Sequence, residues 1–179
     1  MIHRILLLAA MSIMTLSAIK ATAQENTVQW YSFEKAVEMN KEQPRKILID
    51  VYTDWCGWCK KMKKQTFNHP AIARYINKNF YPVRFDAESG GKVRFNGRTF
   101  GLRKRSGRNI HELAIYLLQG KMSYPSVAYL DGKNRLITAV PGFYKPKDME
   151  PILKYFVKGA YKNQKFKKFK KNYQPTLVE

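Results

Sequence analysis

The stretch from Lys46 to Lys64, KILIDVYTDWCGWCKKMKK, constrains this chain more than any other. Lys46 to Thr53 is a mostly apolar run with β-branched residues, of the kind that forms a strand covered on both faces. Both cysteines of the 179-residue chain follow at once, Cys56 and Cys59, each behind a tryptophan. From Gly57 to about Phe67 the pattern turns helical. The two thiols therefore sit three positions apart at a strand-to-helix junction, where a first helical turn brings both sulfurs to one face.

A bridge between them is a weak structural staple. Closing so short a loop is worth about 2 kcal/mol in the chain-entropy picture, against roughly 3 kcal/mol for fifteen residues. The position suits reactivity better. A helix N-terminus carries partial positive charge and unpaired N–H groups, and both favour thiolate over thiol at Cys56. In such Cys-X-X-Cys settings a thiol falls from about 8.5 into the range of about 3.5 to 7.5. Lys60, Lys61, Lys63 and Lys64 add positive field. Cys56 is thus the candidate attacking sulfur and Cys59 the resolving one in thiol–disulfide exchange, which proceeds through a mixed disulfide.

Metal chemistry is the first competitor. A closed zinc site needs four ligands, and His69 or His111 would have to complete the set. His69 precedes a proline and His111 sits beside Glu112, so both read as surface or capping residues. No metal site is expected. Covalent haem needs a histidine directly after the second cysteine, and Lys60 stands there.

Elsewhere the pattern alternates strand and helix. Ser32 can cap a helix from about Phe33 to Gln43. AIARYINKNF resumes a helix after the Asn68-His69-Pro70 break, and Phe80 to Glu88 is a second strand candidate, with Pro82 arguing against full pairing at its start. Strand, helix, strand in that order suggests a parallel crossover. Residues 88–108 differ: half of the ten glycines and many cations lie there, with an Asn96-Gly97 turn signal, so an exposed, partly hairpin insertion is expected. Asn109 then reads as the cap of a helix, with Glu112 completing a capping box and Gly120 the stop. Ser123 to Asp131 and Arg135 to Gly142 read as a hairpin, and Pro146 opens a last helix running as far as Tyr173.

ILIDVYTDWCGWCKKM resembles the active-site strand and helix of the thioredoxin superfamily. SYPSVAYLDGKNRL is similar to that family's cis-proline strand, turn and next strand, and VPGFYKPKDMEPIL to its closing glycine and last helix. The resemblance spans about Trp30 to Phe156 and implies an α/β thioredoxin-like fold: a central mixed sheet flanked by helices, with the insertion placed before the cis-proline strand. It implies a catalytic set of Cys56, Cys59 and Asp50, the last a buried carboxyl with a raised pKa that takes the Cys59 proton. It implies a substrate groove at Trp55, Trp58, Tyr124 and Pro125, in which the tryptophans cover the dithiol and exclude water, and a cis Pro125 leaves the Tyr124 backbone free to pair with an extended segment. Arg84 lies near a position where the family often has a buried lysine. The redox-active Cys56–Cys59 pair needs no separate cofactor. Asp50 and Trp55 make reduction the first expectation, while Gly57-Trp58 stands in place of thioredoxin's own dipeptide, which contains proline and tunes the potential, so oxidation and isomerisation stay open. Partners would be proteins with thiols or disulfides, plus an upstream redox partner that resets each turnover.

His3 and Arg4 precede an apolar run from Ile5 to Ile19, followed by Ala21-Thr22-Ala23, the form of a secretory signal cut after residue 23. The expectation is an exported protein, periplasmic or extracellular, with its domain at residues 24–179. The formal net charge of +20 suggests acidic partners, an acidic membrane surface among them. The basic C-terminal segment, residues 157–179, offers an alternative reading: a thioredoxin-fold binding module whose tail engages an anionic partner. Between Lys154 and Lys171 there are eight lysines and no acid, with aromatics interleaved. Leu153, Phe156, Val157 and Ala160 repeat at helical spacing, which favours a packing helix with a solvated lysine face over nucleic-acid binding.

Overall fold

The computed structural model describes residues 26–177 apart from Ser106. The expected signal segment, residues 1–23, lies outside the described residues.

The first helix, α1 (Phe33–Glu42), is capped by Ser32, whose hydroxyl accepts from the Lys35 N–H. Strand β1 (Lys46–Tyr52) follows, then the helix α2 (Gly57–Met62), which widens into a π turn at Lys63–Phe67. Helix α3 (Pro70–Asn79) leads into β2 (Phe80–Asp86). Two small hairpins come next, β3 (Val93–Phe95) with β4 (Arg98–Phe100), and β5 (Leu102–Arg105) with β6 (Arg108–His111). The chain then forms α4 (Glu112–Leu117), β7 (Ser126–Leu130), β8 (Leu136–Pro141) and α5 (Pro146–Val157), and ends in the short α6 (Phe166–Lys171).

The main sheet has the order β2-β1-β7-β8, with β1 and β2 parallel and the other pairs antiparallel. β1 is central and buried along its interior, which is why it reads as a nearly unbroken apolar run. Its alternate residues serve two cores. Ile47, Ile49 and Val51 pack with Phe33 and Ala36 of α1 and Leu113 and Leu117 of α4. Leu48 packs on the other face with Met62, Phe67, Ile72, Ile76, Ile152 and Phe156. Asp50, of the same parity as Leu48, is turned toward the face that carries α2. Pro82 is paired in register with Leu48, yet its missing N–H does no harm. β2 is an edge strand of the sheet, and on its open side the Pro82 carbonyl accepts from the Tyr31 N–H at 2.9 Å.

Three sequence expectations are corrected. The insertion is only partly exposed: Val93, Phe95 and Phe100 are buried in the α1/α4 core, and Phe95 meets Phe33 edge-on at 5.1 Å. Its hairpins are stitched to the domain where the His111 N–H donates to the Ala87 carbonyl at 2.7 Å. The Asn96-Gly97 turn does take left-handed backbone at both residues, φ 48° and 77°. Secondly, Asn109 does not cap α4. It lies in β6 opposite Lys104, and the cap is the buried His111, whose Nδ1 accepts from the Leu113 N–H while its Nε2 faces the Gly91 carbonyl at 2.9 Å. Glu112 instead accepts from the Gly101 N–H. Thirdly, the last helix does not reach Tyr173. It stops at Val157, where Gly159 takes φ 68°, a left-handed turn that glycine adopts without a side-chain clash.

Candidate functional site

At the end of β1 the chain turns through Thr53, whose carbonyl accepts from the Cys56 N–H at 3.1 Å. Cys56 is the N-cap of α2, and Cys59 lies in its first turn. The two are joined as a disulfide. The Cys59 N–H donates to Cys56 Sγ at 3.1 Å, so a helix-terminal donor is already aimed at the sulfur that would carry negative charge once the bridge opens. Cys56 keeps 4% of its surface exposed and Cys59 1%, the order expected if Cys56 meets the substrate and Cys59 resolves from inside.

Asp50 is buried, 1% exposed, on the β1 face that carries α2. Burial is the dominant influence on its carboxyl and raises it to about 6, against the opposing pull of the Arg84 hydrogen bond and charge. Arg84 stands in register with Asp50 on the parallel neighbour β2, and its Nε–H donates to Oδ2 at 3.0 Å. Its guanidinium stacks on the Tyr52 ring, 3.9 Å from the centroid. The other Asp50 oxygen, Oδ1, and the buried Thr53 hydroxyl have no hydrogen-bond partner among the described residues. A cleft of about 280 Å³, lined by Cys59, Thr53, Tyr52, Arg84, Lys60 and Lys63 among others, opens beside the inner sulfur. Arg84 therefore joins the buried carboxyl to the cleft beside Cys59. Sequence reasoning gave it little weight, because its role appears only once β2 is laid parallel to β1 in register.

The tryptophans precede the two buried cysteines in the chain, and both indoles are largely open to solvent. Trp55 is 58% exposed and Trp58 57%, so both indoles are rim walls. Trp55 is held by its Nε1–H donating to Glu88 Oε2 at 2.8 Å, by the Tyr124 ring edge-on at 6.0 Å, and by the Arg108 guanidinium at 5.2 Å. Trp58 leans on Phe143 at 5.3 Å, with the Lys61 ammonium 4.7 Å from its ring centre. The Tyr124–Pro125 peptide is cis, as the resemblance implied. Burial first, then the Glu88 and Asp86 carboxylates, push the Tyr124 hydroxyl up to about 12, so it stays protonated at neutral pH. Tyr124 makes no backbone–backbone hydrogen bond among the described residues, which leaves a free edge on the residue whose ring meets Trp55. Glu88, Arg108 and Phe143 were missed from sequence. Phe143 follows the closing Gly142, while Glu88 and Arg108 belong to the insertion, for which no motif existed.

No group of three or more His, Cys, Asp or Glu side chains arranged to hold a metal occurs among the described residues.

A family model described as "Thioredox_DsbH: Protein of unknown function, DUF255" matches residues 13–136. An uncharacterized protein of Archaeoglobus fulgidus is 29% identical over 81 residues, 45% of this chain and 64% of its own length. Thiol:disulfide interchange protein DsbD of Pectobacterium atrosepticum is 35% identical over 37 residues, 21% of this chain and 6% of that protein. The chain thus spans less than two thirds of the first of these relatives and a small fraction of the second. Among solved structures, one titled "DsbH Oxidoreductase" superposes with a TM-score of 0.52 at 19% identity, covering 77% of this chain and 87% of that one. At that identity the likeness speaks for the fold, which it identifies as thioredoxin-like.

Proposed function

From its membership of the DsbH/DUF255 family of thioredoxin-fold proteins, we propose that this chain is a thiol–disulfide oxidoreductase acting on protein substrates, working chiefly as a reductase. The observation that carries the reading is the Cys56–Cys59 disulfide at the start of α2, with the Cys59 N–H aimed at Cys56 Sγ. In the reduced protein the Cys56 thiolate attacks a substrate disulfide. One new S–S bond forms to the substrate, the substrate's own S–S bond breaks, and one substrate sulfur leaves as thiolate. Cys59 then loses its proton and attacks Cys56 Sγ. The mixed disulfide breaks, the second substrate thiolate leaves, and the protein holds the Cys56–Cys59 bridge, having given up two electrons.

Asp50 supports the second step. A carboxyl at about 6 is largely ionised at neutral pH and basic enough to take the Cys59 proton through solvent in the cleft. Tyr124 supports substrate capture, its free backbone edge offering a strand-like partner next to Trp55. The name of the DsbD relative, a thiol:disulfide interchange protein, agrees with the reaction class. Since each turnover leaves the bridge oxidised, a reducing partner must reopen it. We place the protein outside the cytosol, a reading supported by the signal-like residues 1–23 of the sequence.

Cys59→Ser removes the resolving thiol and leaves the attacking one. It is expected to accumulate substrate proteins disulfide-linked to Cys56, visible as higher bands that collapse under reductant, while Cys56→Ser/Cys59→Ser yields none. Absence of such adducts in the producing cell would overturn protein exchange as the reaction.

A further inference from the structure

Beside the disulfide the inserted β5–β6 hairpin forms a cationic wall whose position the exchange chemistry does not explain. Trp55, the residue before Cys56, is gripped from this insertion on two sides, by Glu88 at Nε1 and by Arg108 over its ring. The hairpin register fixes which other side chains share the Arg108 face. Residues opposite one another in an antiparallel pair lie on one face, and so do residues two apart on one strand. Arg103 pairs with Ile110, two positions from Arg108, so Arg103 and Arg108 lie together on the side turned to Trp55. His111, opposite Leu102, turns the other way into the core. Both arginines are exposed, and neither forms an ion pair among the described residues. A guanidinium stacked on an aromatic face keeps its in-plane N–H groups for a carboxylate, which it can take in bidentate fashion.

On the far side of the disulfide, α2 presents exposed Lys60 and Lys61, the latter over Trp58, and Lys64 follows in the π turn. The acids on this rim are few. Glu88 has one oxygen taken by the indole, Asp86 accepts from the Glu88 N–H and the Ser89 hydroxyl near Tyr124, and Asp54 stands at the mouth of the cleft.

Resting on the exchange reading, we infer that the β5–β6 hairpin is a recognition wing, and that the protein selects cysteine-bearing segments rich in Asp and Glu. An acidic stretch laid past Cys56 would meet Arg103 and Arg108 on one side and the α2 lysines on the other. The arginines act by holding the segment, and take no part in moving electrons or protons.

The test uses the reduced full chain and three peptides, each carrying one cysteine as a 2-pyridyl disulfide. The residues flanking the cysteine are acidic, neutral or basic. Attack of Cys56 on the peptide sulfur joins the two and releases pyridine-2-thione, read by absorbance. At low ionic strength the acidic peptide is expected to react about tenfold faster than the neutral one, with the basic peptide slowest and the spread narrowing in high salt. R103E/R108E should abolish the acidic peptide's lead over the neutral one, and R103Q/R108Q should reduce that lead, the α2 lysines keeping the remainder. K158E/K162E makes the same change in net charge as R103E/R108E, but Lys162 acts electrostatically on Lys46, at the end of β1 away from the disulfide. That variant should keep the wild-type order. An acidic peptide no faster than the neutral one would overturn the inference alone. So would K158E/K162E abolishing the preference as fully as R103E/R108E. Failure of the wild type to react with any of the three peptides would instead bring down the exchange reading, and this inference with it.

Discussion

Asp50 is a carboxyl held in surroundings that disfavour its charge. Its burial outweighs the help of Arg84, so its pKa rises from 3.8 to about 6. Between those values the folded protein binds more protons than the unfolded chain, and stability therefore falls as pH rises through that window and stays lowered above it. The sign is opposite to that of an ordinary ion-paired carboxylate. Asp50→Asn removes the buried charge and keeps the shape. At pH 7 it is expected to raise the stability of the oxidised protein by at most about 3 kcal/mol, the advantage vanishing below about pH 4, as read from urea midpoints across pH. The same variant should slow resolution of the mixed disulfide at pH 7, because Cys59 loses its proton acceptor. Arg84→Met acts the other way on the carboxyl. Without the guanidinium only the weaker pull of Lys63 opposes burial, the Asp50 pKa climbs further, and the pH profile of exchange should move to higher pH by about one unit. A stopped-flow profile of single-turnover exchange checks both.

At the scale of elements, the hairpins of residues 93–111 are part of the domain's core. Phe95 is 2% exposed and meets rings from α1 and α4. Phe95→Ala is expected to cost about 3 to 5 kcal/mol, the range for deleting a buried aromatic, where an exposed loop would lose almost nothing. Chemical denaturation measures it. The β1–α2 unit was legible in sequence because a doubly buried strand has an apolar signature and the cysteine spacing fits one helical turn. The insertion's packing was less so. Its Val93-Arg94-Phe95 alternation carried the signal, but strands of three residues among glycines and cations give the periodicity too little length to stand out. Asn109 and Glu112 had capping-box spacing, yet the ladder with β5 claims the Asn109 backbone first. The helical period after Ala160 slipped, and the slip marks the left-handed Gly159. Tyr124 and Pro125 could be assigned only by resemblance, since nothing in spacing alone brings residues 124–125 beside residue 56.

For the molecule as a whole, the charge of +20 is distributed over a surface whose aromatic residues are largely spoken for. Phe166 and Phe169 of α6 pack on Tyr155, each at 5.3 Å, and the tail is tied back where Tyr173, Thr176 and Leu177 donate to the buried Glu150. The lysines of α6 are left to solvent while the rings face the core, an arrangement suited to a solvated face and poorly suited to stacking on bases. No described helix is long and apolar enough to cross a membrane. The fold thus keeps its two cores, its docked insertion and its tail independent of the short bridge at the tip of α2. The central claim is that this bridge opens and closes while everything else stays folded. Equilibrating the protein across glutathione and dithiothreitol buffers tests it, with the Cys56–Cys59 state followed by thiol alkylation and folding by near-ultraviolet circular dichroism. The account predicts a reversible two-electron transition, about 30 mV per tenfold change in ratio, with a midpoint between about −300 and −120 mV and unaltered dichroism from the core aromatics. A bridge that resists reduction throughout that range, or that opens only as the tertiary dichroism collapses, would contradict it.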